Sequence, residues 1–117
     1  MKIKLGEIVS QLENIRNLLE NKLPVKVAYR LNKLSKKLDS ELKSYNETKN
    51  AIVLELAKDL PDPTRITEEN PVELAEYNKK HKELLEEEVE IDFEKIKVEE
   101  LGEVVVSPNE LVDWIFI

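Results

Sequence analysis

His81 is the only histidine of the chain, and there is no cysteine. The side chains that most often carry acid–base, nucleophilic or metal chemistry near neutral pH are therefore reduced to one. A triad, a histidine-based metal site or an acid–base pair needs a second group held beside the first, and no spacing in the sequence supplies it. His81 follows Tyr77 by four residues and precedes Leu84 by three, which places it beside both in a helix seam. No catalytic residue, metal site or cofactor is assigned, and the expectation is a protein that is not an enzyme. The acidic run Glu83, Glu86, Glu87, Glu88, Glu90 and Asp92 suggests a divalent cation at first sight. Consecutive helical residues, however, point about 100° apart, and only Glu90 and Asp92 share a strand face, so a compact oxygen cage does not follow. The run reads as a solvated face or as counter-charge for lysines. Asp59, Asp62 and Asp113 lack the loop spacing of a calcium site.

The basic residues are better arranged. Lys22, Lys26, Arg30, Lys33 and Lys37 step by four, four, three and four, which puts them on one ridge around a helix start. Such an anion ridge can hold the phosphates of a nucleotide or a nucleic acid, and Tyr29 lies close enough to offer a stacking ring. The competing expectation is that the ridge pairs with the acidic run at residues 83–92, and it is favoured because the chain carries its own counter-charge. A glycine-rich phosphate loop is ruled out, since Gly6 and Gly102 are the only glycines.

The elements that must position these residues follow from composition and period. A chain of 117 residues allows one domain, 1–117, and its 37% charged and 5% aromatic content favours helices with a thin apolar seam. Residues 1–50 hold nine Lys and two Arg against six acids, a net of +5, whereas residues 51–117 hold six Lys and one Arg against nineteen acids, a net of −12. That split favours one half lying against the other, or against the opposite half of a neighbour. It also disfavours DNA binding by the whole surface. The lack of cysteine excludes disulfide frameworks, zinc ribbons and thiol nucleophiles, and fits a reducing compartment. No apolar run approaches the roughly 18 residues of a membrane span, and Met1–Leu5 leads into Gly6 without a signal-peptide core. A soluble, cytosolic protein with no membrane partner is expected.

Alternation in residues 2–5 predicts a short strand, and Ile8, Leu12, Ile15 and Leu19 predict a helix over about 7–22. Leu23-Pro24 then makes a tight corner, with Pro24 suited to the first turn of a second helix over about 24–60. Pro61-Asp62-Pro63-Thr64 ends that helix, and residues 61–69 read as a polar loop. Asn70-Pro71-Val72-Glu73 has the form of a capping box and opens a third helix over about 71–88. The period then switches to two: residues 89–98 predict a strand with a bulge at Glu94-Lys95, and residues 103–106 a second short strand. Ser107-Pro108-Asn109-Glu110 repeats the capping chemistry before a short helix over about 108–115. The apolar end, with Trp114 and Phe116, is expected to pack on the small sheet or into a neighbour.

Along the second helix Leu31, Leu38, Tyr45 and Ile52 recur every seven residues. A helix of that length runs roughly 55 Å, whereas a compact chain of this size has a radius of gyration of about 13 Å. A later helix of the same chain or a second copy must cover the stripe. The expected fold is α+β, mainly α: a long, coiled-coil-like helical hairpin with a small C-terminal β element. Leu31, Leu34, Leu38, Leu42, Tyr45, Ile52 and Leu56 are its expected oligomer seam, and Thr48 and Lys49 interrupt it with a loosening or a polar contact.

Leu23-Pro24-Val25-Lys26-Val27-Ala28-Tyr29-Arg30-Leu31, Leu34-Ser35-Lys36-Lys37-Leu38, Glu87–Ile96 and Val106-Ser107-Pro108-Asn109-Glu110-Leu111 resemble a family of small uncharacterised proteins encoded by bacteriophages and prophages of Gram-positive bacteria. The resemblance spans nearly the whole chain, with a variable loop around residues 58–72. It implies an origin, and hence the host cytoplasm, and transfers no activity or site residue. The leading expectation is a phage-encoded, non-enzymatic interaction or assembly protein acting as a homo-oligomer, with a host protein as a further partner. A counter-defence protein that sequesters a host nucleotide signal is one alternative. An accessory factor for phage replication or transcription, contacting nucleic acid or host polymerase, is the other.

Overall fold

The computed structural model describes residues 1–117 as β1 (Lys2–Lys4), α1 (Leu5–Leu19), α2 (Val25–Ala57), α3 (Pro71–Leu85) and β2 (Glu88–Glu90), with single 3₁₀ turns at Val98–Leu101 and Pro108–Glu110. The chain is mainly α with a two-stranded antiparallel sheet, in which Lys2, Ile3 and Lys4 face Glu90, Val89 and Glu88. At 33 residues α2 is about 50 Å long. It forms the spine of a molecule measuring 56 × 24 × 19 Å with a radius of gyration of 17.9 Å. The rod expected from the sequence is therefore present as one unbroken helix.

The core lies around the first part of that spine. Val27, Leu31, Leu34, Leu38, Leu42 and Tyr45 of α2 are buried together with Leu5, Ile8, Ile15 and Leu18 of α1, Val89 and Ile91, Ile96, Leu101, and Val112 with Trp114–Phe116. Spacings of three and four residues put the α1 and α2 members on one face of each helix, and burying those faces against each other is what stabilises them. Gly6 sits where α1 meets the end of α3: a Cβ there would lie 3.1 Å from the Leu85 carbonyl oxygen. Any larger side chain would need the Leu85 carbonyl to give way by a few tenths of an ångström.

Beyond Tyr45 the cover thins. Ala57 is the only buried residue in the rest of α2, and α3, which packs on that stretch, has none. Ile52 and Leu56 are half-buried. This corrects the seam assignment: Leu31, Leu34, Leu38, Leu42 and Tyr45 are filled by α1, the sheet and the C-terminal segment of the same chain. They are not open to a second copy in a folded protomer, because the chain supplies enough apolar surface to cover this half of the rod. Within one protomer no single helix pairs with α2 along the full stripe: α1 and α3 each contact part of it.

Several element boundaries also differ. The first helix begins at Leu5, directly after β1, and stops at Leu19, so Gly6 lies inside it. The strand expected over 89–98 is only Glu88–Glu90, because β1 offers three residues of partner. Ile96 instead makes an isolated parallel bridge to Phe116, with Ile96 N–H donating to the Ile115 carbonyl at 2.8 Å and Ile117 N–H to the Ile96 carbonyl at 3.0 Å. Residues 103–106 form no strand, having no neighbour to pair with, and Val105 is 89% exposed. The helix expected over 108–115 is one 3₁₀ turn, after which the chain pins Val112 and Trp114–Phe116 into the core. Neither expected capping box forms. Asn70 Oδ1 accepts from Thr67 N–H (3.1 Å) rather than from its own helix, and Ser107 Oγ donates to the Glu110 carboxylate at 3.1 Å.

Leu38 is 1% exposed and Leu54 53% exposed on the same helix. Leu38→Asp buries an unpaired charge and is expected to cost about 4 kcal/mol. Leu54→Asp is expected to cost less than about 1 kcal/mol in a monomer, and urea unfolding followed by circular dichroism at 222 nm compares the two.

Candidate functional site

The basic ridge divides in two. Arg30 and Lys37 lie on the flank of α2 that meets the acidic half of the chain and the helix's own carboxylates. The Arg30 guanidinium donates to the Glu94 carbonyl, lies 3.7 Å from Glu100 and sits 5.6 Å from the centre of the Phe93 ring. Lys37 donates to Glu41 at 3.0 Å, one turn along. These two cations are therefore structural, and their partners are Glu94, Glu100 and Glu41 rather than the acidic run at 83–92.

Lys22, Lys26 and Lys33 have no ion-pair partner and are exposed. Tyr29 is 64% exposed, with Lys33 Nζ 5.6 Å from its ring centre. Lys36 and Lys43, which the four-four-three-four spacing does not include, belong with them. Counting from Lys26, the positions Tyr29, Lys33, Lys36, Ser40 and Lys43 step by three, four, three, four and three, the line directly opposite the buried stripe. That alternation is present in the sequence, but the regular steps through Arg30 and Lys37 trace a neighbouring line along its flank.

His81 lies where the sequence put it, in the seam with Tyr77, its ring stacked at a 12° interplanar angle and 5.4 Å between centres. The missing member was Tyr45. Its hydroxyl is 2.6 Å from His81 Nε2, a hydrogen bond whose direction is set by the imidazole tautomer. Lys49 Nζ lies 5.3 Å from the centre of the Tyr45 ring, which gives the interruption at Thr48 and Lys49 its polar contact. The trio couples α2 to α3 where the packed core gives way to the thinner arm. Burial, and secondarily the neighbouring Tyr77, raises the Tyr45 pKa above its ordinary value.

Beside Tyr45 a cavity of about 370 Å³ is lined by Lys37, Glu41, Ser44, Leu84 and Glu87–Glu90 among others. Its carboxylates do not converge: nowhere do three His, Asp or Glu side chains gather as metal ligands. A second cavity of about 290 Å³ lies under Arg30, Lys33 and Lys37, but Asp92 and Glu94 share its wall. No helix is long and apolar enough to cross a membrane. No family model, curated protein or solved structure matches the chain.

Tyr45→Phe keeps the ring and removes the bond to His81, for an expected loss of about 1 kcal/mol near neutral pH. A raised folded-state pKa means that the folded chain holds the phenol proton more tightly than the unfolded chain. This contribution is complete below about pH 10 and is lost as pH rises through the folded value. Urea unfolding across that range is expected to show a shallower alkaline fall in the variant than in the parent.

Proposed function

We propose that the protein is a phage-encoded, non-enzymatic interaction protein of the host cytoplasm that works as a homodimer, with the arm formed by the second half of α2 and α3 as the interface. The phage origin rests on the resemblance carried by residues 23–38, 87–96 and 106–111. The non-enzymatic reading is supported by the single histidine, which is taken up between two tyrosines.

The observation that carries the proposal is the arm itself. A helix of 15 residues whose inward side chains are only half-buried gains less from the hydrophobic effect than α1 does, and that effect supplies most of the stability of a short helix. Leu54 at 53% and Val72 at 77% exposure leave apolar surface on both helices of the arm. Charge selects a second copy as the cover. In α3 the acids Glu73 and Glu76 of the first half precede the bases Lys79, Lys80 and Lys82, which Glu83 follows, so two copies packed antiparallel about a twofold axis set the acidic first half of each helix against the lysines of the other. A parallel arrangement would oppose like charges.

Light scattering at tens of micromolar is expected to give twice the 13.6 kDa chain mass. Lys79→Glu/Lys80→Glu is expected to weaken the dimer by about tenfold or more, and adding Glu73→Lys/Glu76→Lys to restore it, since each exposed opposite-charge pair contributes up to about 1 kcal/mol. A strict monomer at that concentration overturns the proposal.

A further inference from the structure

The outward line of α2 is left over from both the core and the arm. It carries Lys22 at the corner, then Lys26, Tyr29, Lys33, Lys36 and Lys43, and no member of it is in an ion pair. Most lysines of the chain stand without an ion pair; what sets these five apart, in a chain of net charge −7, is their alignment along the corner and one exposed face of a single helix. Arg30 and Lys37, one flank over, are the cations the fold neutralises. Before Glu47, Asp39 is the only acid among the exposed residues of α2.

We infer that this face binds single-stranded nucleic acid, the lysines taking phosphates and Tyr29 stacking a base. The stretch from Lys26 to Lys43 spans about 26 Å, room for several successive phosphates. Positive charge alone would suit any polyanion, an acidic protein segment included. Tyr29 decides between them: a largely exposed aromatic ring within a row of lysines offers a stacking platform that an unpaired base uses and a carboxylate does not. Val25, 85% exposed one turn before it, adds apolar surface at the same end. A mononucleotide fits less well. The line is convex, and the nearest cavity, under Arg30, Lys33 and Lys37, includes Asp92 and Glu94, whose charges oppose a phosphate. A duplex would meet the lysines but leave Tyr29 without an unpaired base.

Fluorescence anisotropy with the full chain and a labelled oligothymidylate or oligouridylate of about 16 nucleotides tests the assignment. Binding is expected to weaken steeply between about 50 and 200 mM salt, with a log–log slope of about −3.5 if all five lysines contact phosphate. Lys26→Glu/Lys33→Glu is expected to reduce affinity by at least about tenfold. Tyr29→Ala is expected to reduce it by about tenfold for the single strand only. All three positions lie at the helix surface, and unchanged circular dichroism controls for folding. Absence of binding at the lowest salt overturns the inference. Duplex bound as tightly as single strand, an affinity indifferent to Tyr29→Ala, or full competition by an acidic polypeptide at equal charge also overturns it, leaving a surface for polyanions in general.

Discussion

The structure depends on a mismatch between one helix and the material available to cover it. An apolar stripe runs along α2 for 33 residues, and burying it is the main favourable term in the fold. The chain concentrates its remaining apolar residues on the first two thirds. There α1, the small sheet and the C-terminal segment converge, and Ile8, Leu18, Ile96 and Ile115 have no measurable exposure. What remains for the far end is α3, whose inward residues Leu74, Tyr77, Leu84 and Leu85 stay half-buried. Two helices in contact shield one side of each other; a packed interior needs a third surface.

That division sorts the polar side chains as well. Near the core, charge is used to fasten segments without regular structure. Arg30 holds the stretch around Glu94–Glu100 by its guanidinium fork and its contact with Phe93, and the amino terminus donates to the Ile91 carbonyl at 2.9 Å. Exposed pairs such as Lys58–Glu55 and Arg65–Asp62 occupy the arm and its loop, where each is worth little in water. The boundary is marked by Tyr45, His81 and Tyr77. A hydrogen bond and a stack there join α2 to α3 where aliphatic packing is running out.

The opposite face of α2 shows the same economy. Once the core has taken one side of the helix and the segment around residues 91–100 has taken a flank, a line of lysines with one tyrosine is left facing water. Of the acids in residues 51–117 only Glu100 pairs with a cation of this part of α2, Arg30, and none forms an ion pair with the outward lysines. The two proposed surfaces, one for self-association at the arm and one for single-stranded nucleic acid on the back of the spine, do not overlap.

Much of the helical layout was legible in the residues themselves. Period and proline positions located all three helices to within a few residues, and His81 beside Tyr77 followed from a spacing of four. Local signals failed where an element needs a distant partner. Val104-Val105-Val106 has strand character and no strand to pair with. Residues 91–98 alternate as a strand does, but β1 is only three residues long. Asn70 and Ser107 have capping side chains that found Thr67 and Glu110 instead. By itself, the sequence determined that a long amphipathic helix exists and that its stripe must be covered, since helical period and apolar content are properties of neighbours along the chain. Tertiary structure alone decided which part of the stripe the chain covers, which cations are neutralised and which stay free. Those outcomes depend on how far each remote segment reaches along the rod, and spacing within one helix carries no information about that.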